Sequence, residues 1–408
     1  MKILIISAVF PPEPTVSANI SYDLATYLAK KVPVIVIAPN PTRPFGAVYP
    51  NFDKQLPNNE FELYRTSSYT YPQSHIIGRM RESYSFGCHV SRWIRKHHTE
   101  IGAVYINSWP LCSQYLIAKA AKKYDIPIVL HIQDIYPESL IGKLKFPGIR
   151  ICEKVLRSFD RLILKKATSI IGISRYMIKY LAVSRKIPEN KFVLIRNWQQ
   201  DELFAKIKRK LLSEANSIFT LMYVGNISAS ACVDTIIRAF HMINNDNVKM
   251  VIAGDGTQKN LCIKLAKELH IQNISFCSVS PDQVPQLQAE ADCLILSLKE
   301  GVAATATPSK ITAYCLSGKP IIACVDSGSD VDTIISSSKC GVVVPPENVS
   351  QLFQAMQNMI GRERSELKIM GENAVEFARQ HLSRNSNLIA LSNVIYDCYG
   401  KNKTNIKE

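Results

Sequence analysis

Short apolar runs alternate along the chain with segments in which apolar residues recur every three or four positions. The runs, such as residues 3–6 and 34–38, are rich in Ile and Val and are apolar at successive positions. Strands of this kind are apolar on both faces, which is typical of a parallel sheet covered by helices. The alternation with helical segments therefore predicts an α/β protein with doubly wound sheets.

The alternation pauses once, over residues 197–215, where charged residues cluster. Before the pause we predict strands at 2–7, 34–38, 104–107, 128–133 and 169–173, and helices at 17–31, 112–124 and 149–167. After it we predict strands at 219–224, 248–253, 273–277, 293–297, 321–324 and 342–344, and helices at 232–242 and 261–269. A chain of 408 residues is too long for one core. We therefore predict two Rossmann-like domains, 1–196 and 197–385, with a helix at 386–400 placed to pack back on the first.

Composition excludes several other classes of protein. The chain is 47% hydrophobic and 20% charged, which excludes disorder and coiled coil. Its apolar runs are far shorter than the ~18–20 residues of a membrane-spanning helix. The first run leads directly into Pro11-Pro12, so we interpret it as a strand and not as a secretory signal. The eleven Cys form no Cys-x-x-Cys pair, which indicates free thiols and a cytoplasmic protein.

The positive charge of the chain is concentrated in its first half. Residues 1–200 hold 28 Lys and Arg against 13 Asp and Glu, whereas the rest of the chain is balanced. A basic domain beside a neutral one indicates a polyanionic partner for the first domain: nucleic acid, an anionic membrane or a phosphorylated substrate.

Five stretches with candidate chemistry lie where predicted strands end. They are residues 9–19, 131–139, 224–226, 253–256 and 307–320. Ligands of open α/β sheets bind at the carboxyl ends of the strands, so these stretches outline the expected site, in a cleft between the domains.

Each stretch taken alone is a weak signal. Gly254-Asp255-Gly256 also suits an ordinary strand-to-helix turn, and Lys259 stands where a dinucleotide fingerprint requires a third glycine. Asp330 and Asp332 resemble a metal-binding Asp-x-Asp, but they precede a late helix, where capping or solvation is the more frequent role. The eight His lack metal-ligand spacing, so we predict neither a metal nor a cofactor.

Taken together and in order, the motifs resemble those of the retaining glycosyltransferases of sequence family 4. The matching motifs are Phe10-Pro11-Pro12-Glu13, Asp134-Ile135-Tyr136-Pro137-Glu138-Ser139, Ile171-Gly172-Ile173-Ser174, Ile195-Arg196-Asn197-Trp198, Tyr223-Val224-Gly225-Asn226, Ala253-Gly254-Asp255-Gly256, Pro308-Ser309-Lys310 and residues 341–346. The resemblance implies the GT-B fold, in which two Rossmann-like domains face each other across a cleft. The first domain would bind the acceptor and the second the nucleotide-sugar. The Asp-x-x-Pro-Glu-Ser and Pro-Ser-Lys motifs are similar to those of enzymes that build bacterial O-antigen, capsule and exopolysaccharide.

The resemblance also implies roles for individual residues. Lys310 is expected to bind the donor diphosphate, because GT-B enzymes stabilise the leaving group with basic side chains and not with a metal. Asp134 and Glu138 are expected to orient acceptor hydroxyls or to stabilise an oxocarbenium-like transition state. Further donor-binding candidates are Gly225, Asn226, Gly254, Gly256, Thr307 and Ser309. Candidates in the acceptor or phosphate loop are Thr15, Ser17, Asn19 and His131. The implied activity is hexosyl transfer from a nucleotide-sugar, with UDP as the frequent carrier, to a lipid-diphosphate-linked saccharide.

The chain departs from the family pattern at several positions. Thr15-Val16 replaces a frequent Gly-Gly, and Gln133 replaces the His that precedes the Asp. Asn226 and Cys232 stand where many members have an Arg and a Lys for the diphosphate. Ala313 replaces the second Glu of Glu-x7-Glu, which usually binds the ribose. These departures concern the donor contacts above all.

Two other functions fit parts of the same pattern. A non-hydrolysing sugar-nucleotide 2-epimerase also has two Rossmann-like domains. A non-catalytic basic protein would bind a membrane or nucleic acid. Nucleic acid is disfavoured, because the aromatic residues are not interleaved with the basic ones as a base-stacking surface requires.

The basic first domain is expected to dock on the anionic inner face of the plasma membrane. The helix predicted at 149–167 carries one stripe of basic residues: Arg150, Lys154, Arg157, Arg161 and Lys165. Its apolar residues are expected to face the core, which leaves an electrostatic attraction only: Ile151, Cys152, Val155, Leu156, Phe159, Leu162 and Ile163. A second basic cluster carries aromatic residues suited to the headgroup level: Arg79, Arg81, Arg92, Arg95 and Lys96, with Tyr84, Phe86 and Trp93.

Overall fold

The chain forms two compact units, each built around its own parallel sheet. The computed structural model describes residues 1–44, 46–50, 60–71, 76–141, 149–198, 201–205, 207, 218–305 and 310–404. Unit 1 comprises Met1–Asn197 and Asn387–Glu408, and unit 2 comprises Trp198–Ser386.

Unit 1 has a seven-stranded sheet in the order β3-β2-β1-β4-β5-β6-β7, with every neighbouring pair parallel. The strands are β1 Lys2–Ser7, β2 Val34–Pro39, β3 Glu62–Thr66, β4 Ile101–Asn107, β5 Ile128–Ile132, β6 Ser169–Gly172 and β7 Phe192–Leu194. The chain winds outward from β1 to β3 and then returns to β4 on the other side of β1. This reversal opens a crevice at the carboxyl ends of β1 and β4, where such sheets bind ligands.

Seven helices of the described chain belong to unit 1 or end in it. They are α1 Val16–Ala29, α2 Ile76–His97, α3 Cys112–Lys123, α4 Glu138–Ile141, α5 Ile149–Lys166, α6 Arg175–Arg185 and α16 Arg384–Thr404. The last helix is tied to the first strand, because the Tyr399 hydroxyl donates to the Met1 carbonyl at 2.7 Å.

Unit 2 has a six-stranded sheet in the order β10-β9-β8-β11-β12-β13, again parallel throughout. The strands are β8 Phe219–Val224, β9 Val248–Ala253, β10 Ile274–Cys277, β11 Cys293–Ser297, β12 Ile321–Cys324 and β13 Gly341–Val344. The helices are α7 Asp201–Ala205, α8 Val233–His241, α9 Lys259–Glu268, α10 Val284–Ala289, α11 Val302–Thr305, α12 Lys310–Ser317, α13 Asp330–Ser338, α14 Val349–Ile360 and α15 Arg364–His381. The winding reverses between β8 and β11, so the ligand crevice of this sheet lies at their carboxyl ends.

Five elements of unit 1 are absent from the prediction: β3, β7, α2, α4 and α6. β3 is a half-exposed edge strand with charged residues, so it lacks the long apolar run that marks the inner strands. α2 follows it and has a strongly polar face. The predicted α/β class is confirmed, and every predicted strand is present with at most small differences in its ends.

The prediction that the apolar residues of α5 face the core is confirmed for Leu156, Phe159 and Ile163 and is wrong for the other four. Ile151, Val155 and Leu162 are 70%, 62% and 49% exposed. The buried face of α5 is instead partly ionic, because Asp160 on it pairs with the fully buried Arg185 at 2.7 Å. In the second basic cluster, Phe86 is fully buried and does not reach the surface as expected.

Within the part of the chain that the structure describes, no helix combines the length and the apolar character needed to cross a bilayer.

Candidate active site

A cavity of about 150 Å³ lies at the carboxyl edge of the unit 1 sheet. Its walls come from the segments that follow β1, β4 and β5, at the reversal of the winding. The side chains of interest in its lining are Ser17, Trp109, His131, Gln133, Asp134 and Tyr136. The structure therefore brings together Asp134 and two of the predicted acceptor-loop residues, Ser17 and His131.

The other two acceptor-loop candidates have different surroundings. Thr15 is the N-cap of α1, and its hydroxyl oxygen accepts from the Ala18 N–H at 3.3 Å. Asn19 lies on the exposed side of the same helix. The described lining of the cavity includes neither residue.

His131 is a buried member of a hydrogen-bonded chain beneath the cavity. Its Nδ1 lies 2.6 Å from the Tyr105 hydroxyl and its Nε2 lies 3.1 Å from Gln133 Nε2. The Gln133 carbonyl oxygen accepts from Asn197 Nδ2 at 2.7 Å, which fixes Gln133 Nε2 as the donor toward the ring. Nδ1–H then donates to Tyr105. Burial lowers the pKa of His131 to about 3. The ring is therefore neutral near pH 7 and positions Gln133 without exchanging protons.

Glu138 is engaged in an ionic network, and the cavity lining does not include it. Its carboxylate pairs with Arg185 at 2.6 Å and with Arg157 at 2.9 Å, and it accepts from the Tyr180 hydroxyl at 2.8 Å. Burial alone would raise the pKa of Glu138, but the hydrogen bonds and charge of Arg185 outweigh it and lower the pKa. The expected contact of Glu138 with acceptor hydroxyls stays a prediction, and the structure places its carboxylate among these three partners.

Arg185 connects this network to the segment that carries Asp134. It is fully buried, pairs with both Glu138 and Asp160, and donates to the Tyr136 carbonyl at 2.7 Å. The sequence prediction did not include this residue. The sequence offers one weak signal for Arg185. It is a charged residue at the end of α6, on a face whose other buried residues are apolar.

Lys310 lies at the corresponding edge of the unit 2 sheet, as the first residue of α12. Its Nζ donates to the Tyr223 hydroxyl, lies 4.5 Å from the centre of that ring, and is 3.4 Å from the Asn226 carbonyl oxygen. Burial lowers the pKa of Lys310 to about 8. One turn later, the buried Tyr314 hydroxyl accepts from the Val224 N–H at 2.9 Å, which holds α12 against the end of β8.

The predicted glycines bring the loops of unit 2 close to each other and to Lys310. Gly225 has a φ of +147°, and a Cβ there would lie 2.3 Å from Lys310 Cε. Gly254 has a φ of +140°, and its Cβ would lie 2.0 Å from the Gly225 carbonyl oxygen. Gly256 and Asn226 belong to the same pair of loops, in which Ile227 N–H donates to Asp255 O at 2.9 Å. Gly254 and Gly256 therefore shape the loop that supports Lys310.

The remaining candidates separate into two groups. Thr307 and Ser309 lie outside the described residues. Asp330 and Asp332 lie in the first turn of α13 and not before it, and Asp332 accepts from the Gly328 N–H at 2.7 Å. In the described ranges, no three His, Cys, Asp or Glu side chains group as a metal site requires.

Two family models match the chain, one on each side of residue 200. The model "Glycosyltransferase Family 4" matches residues 17–199, and the model "Glycosyl transferases group 1" matches residues 204–377. A curated relative, "Probable glycosyltransferase WbjE" of Pseudomonas aeruginosa, is 22% identical over 245 residues. This match spans 59% of the chain and 61% of the relative, so the chain covers less than two thirds of the relative's length.

Solved structures resemble almost the whole chain. HepE of Anabaena in complex with UDP is 16% identical, with a TM-score of 0.69 over 97% of this chain and 100% of its own. A glycosyltransferase from Rickettsia africae is 16% identical, with a TM-score of 0.70 over 97% and 98%. WaaG, a glycosyltransferase involved in lipopolysaccharide biosynthesis, is 17% identical, with a TM-score of 0.63 over 96% and 99%. Together with the two parallel-sheet units, these likenesses confirm the predicted GT-B fold.

Proposed function

Because the chain belongs to the glycosyltransferases with the GT-B fold, we propose that it transfers a sugar from a nucleotide-diphosphate donor to a lipid-linked saccharide. The product would be a unit of a bacterial surface polysaccharide such as O-antigen or capsule. The observation that carries the proposal is the position of Lys310. Its side chain passes over Gly225, at the edge of the unit 2 sheet where the winding of the chain reverses.

Lys310 suits the donor diphosphate because cleavage of the sugar–phosphate bond leaves negative charge on the phosphate oxygens. A partly buried ammonium group stabilises such charge more strongly than an exposed one, since little water screens it. Unit 2 is therefore the proposed donor-binding domain. UDP is the proposed carrier, and the complexes of Anabaena HepE with UDP and with UDP-glucose support that choice.

The cavity of unit 1 is the proposed site of the acceptor. Asp134 lies in its lining beside the neutral His131 and Gln133, so the carboxylate is placed to orient an acceptor hydroxyl. We propose transfer with retention, in which a leaving-group oxygen takes the hydroxyl proton on the face from which it departs. This course requires neither an enzymic general base nor a metal.

The outer surface of unit 1 supports a position on an anionic membrane. α3 packs against both α2 and α5, so the three helices form one layer. Apolar side chains are exposed at both margins of this layer: Ile77, Met80 and Tyr84 on α2, and Ile151, Val155 and Leu162 on α5. The same three helices also carry exposed basic residues, including Arg81, Arg92, Lys119, Lys122, Arg150, Lys154 and Lys165. We propose that shallow insertion of the apolar residues adds to electrostatic attraction for acidic lipids.

A product assay tests the proposal. The purified protein is incubated with a lipid-diphosphate-linked saccharide and a panel of UDP-, GDP- and dTDP-sugars, and the products are identified by mass spectrometry. The proposal predicts a gain of one hexose-type residue from a UDP-sugar, unchanged by excess EDTA. Interconversion of UDP-sugars without an acceptor would instead indicate an epimerase, and Mn²⁺-dependent transfer would contradict the metal-independent mechanism.

A further inference from the structure

Two arginines and a tryptophan form a compact cluster beside the cavity of unit 1. The guanidinium carbon of Arg43 lies 4.0 Å from the centre of the Trp109 ring, and that of Arg79 lies 5.5 Å from it. Trp109 lines the cavity. The charge of Arg79 also reaches Tyr136 in the same lining, where it opposes the rise in the Tyr136 pKa that burial causes.

The cluster holds two positively charged side chains. Glu82 is the carboxylate between the two arginines, and one of its oxygens lies 2.6 Å from Arg43 and 3.4 Å from Arg79. Burial raises the pKa of Glu82 to about 7. The two guanidinium groups share this one carboxylate, and the charge of Glu13 adds to the rise in its pKa. An anion beside them would therefore be bound favourably.

Two buried donors of the cluster have no acceptor. Among the described residues, none accepts a hydrogen bond from Arg43 Nε or Trp109 Nε1. A buried N–H without an acceptor costs free energy, and native structures rarely leave one unless water or a ligand completes it. The two donors without an acceptor indicate a ligand with several acceptor oxygens.

We infer that Arg43, Arg79 and Trp109 bind the phosphate groups of the acceptor, next to the cavity that takes its sugar. The inference rests on the proposed function, since it concerns an acceptor carried on a diphosphate. The backbone N–H of Arg43 donates to the buried Glu13 at 3.0 Å, which holds its loop in place before a ligand arrives. The cluster would thus select phosphate-linked saccharides over free ones.

Acceptor kinetics with matched variants test this inference. Arg79→Gln removes a partly exposed charge, and Trp109→Phe keeps a ring but removes the N–H. Arg81→Gln is the control, because Arg81 lies on the same helix with its guanidinium against Tyr69, 4.8 Å from that ring's centre. The acceptors are one saccharide on a short isoprenyl diphosphate and the same saccharide as an alkyl glycoside.

We expect Arg79→Gln and Trp109→Phe to raise KM for the diphosphate acceptor about tenfold, the effect of losing one hydrogen bond to a charged group. KM for the alkyl glycoside and for the donor should stay unchanged, as should all values for Arg81→Gln. Equal effects on both acceptors, or no effect on either, would overturn the inference.

Two further measurements separate this inference from the proposed function and from a role of the arginines in binding lipid headgroups. Equilibrium binding of both acceptors, followed by tryptophan fluorescence, needs no turnover. The wild type could transfer no sugar and still bind the diphosphate acceptor more tightly than the alkyl glycoside. If Arg79→Gln then lacks this preference, the proposed function fails and the phosphate site stands. Sedimentation with phosphatidylglycerol vesicles should be the same for Arg79→Gln and wild type. Loss of vesicle binding with unchanged acceptor KM would assign the arginines to lipid headgroups.

Discussion

The side chain of Lys310 passes directly over Gly225, so that a Cβ atom at position 225 would lie 2.3 Å from Lys310 Cε. The glycine therefore does more than turn the chain after β8. It leaves room for the one cation that we assign to the donor diphosphate. This relationship links a loop at the end of a strand to a residue 85 positions later in the sequence.

Gly225→Ala should displace Lys310 and lower the rate of sugar transfer. The φ of +147° adds strain for any residue with a Cβ, so the loop itself will shift. We expect a loss of ~10²-fold in kcat/KM for the donor, the scale that misplacement of a binding group by an ångström produces. Gly361→Ala is the control, because its Cβ would meet the nearest atom at 3.5 Å. Full activity in Gly225→Ala would show that the position of Lys310 does not matter.

Donor use should weaken in alkaline solution. Burial lowers the pKa of Lys310 to about 8, so the charged form predominates below that pH and is lost as the pH rises through it. We expect kcat/KM for the donor to be level below pH 8 and to fall above it. In Lys310→Arg the guanidinium stays protonated, so the decline should move to higher pH. The same decline in both proteins would assign it to another group.

Removal of Arg185 should destabilise unit 1 strongly. Arg185→Met would leave the buried carboxylates of Glu138 and Asp160 without their shared partner. Breaking such a network costs ~3–5 kcal/mol, measurable as a lower denaturation midpoint in urea. Lys179→Met, an exposed change on the same helix, should leave the midpoint nearly unchanged. Similar midpoints for both variants would mean that the ionic network contributes little.

The exposed apolar residues of α5 should contribute to membrane binding. Replacing Ile151 and Val155 by Ser should lower the partition coefficient onto anionic vesicles about tenfold or more, since each side chain that inserts contributes ~1 kcal/mol or more. Val183→Ser is the control, because Val183 is 80% exposed but lies on α6. Unchanged binding in the double variant, with binding still lost at high salt, would restrict the attraction to the basic residues.

The sequence allowed the inner strands of both sheets to be predicted, because burial on two faces demands continuous runs of Ile, Val and Leu. It did not reveal β3, since an edge strand keeps polar residues on its open side. The expected burial of Ile151, Val155 and Leu162 on α5 was wrong for a different reason. Helical periodicity shows which residues share a face, but the buried face of α5 also includes Asp160, which pairs with Arg185 on another helix.

The candidate site was predictable to the extent that motifs mark the ends of strands. Asp134, His131 and Lys310 all lie at the edges expected from the winding of the sheets. The engagement of Glu138 with Arg185, and the contact of Trp109 with Arg43, depend on residues at least 47 positions apart. Such contacts follow from the tertiary fold and have no local pattern.

The most direct test of the central claim is the rate of sugar transfer to a lipid-diphosphate-linked saccharide, measured by mass spectrometry for wild type and Lys310→Ala side by side. The account predicts transfer by the wild type from a UDP-sugar and a loss of ~10²-fold or more in Lys310→Ala, the order expected for one electrostatic stabiliser, with an unchanged unfolding midpoint. Equal rates for the two proteins would contradict it.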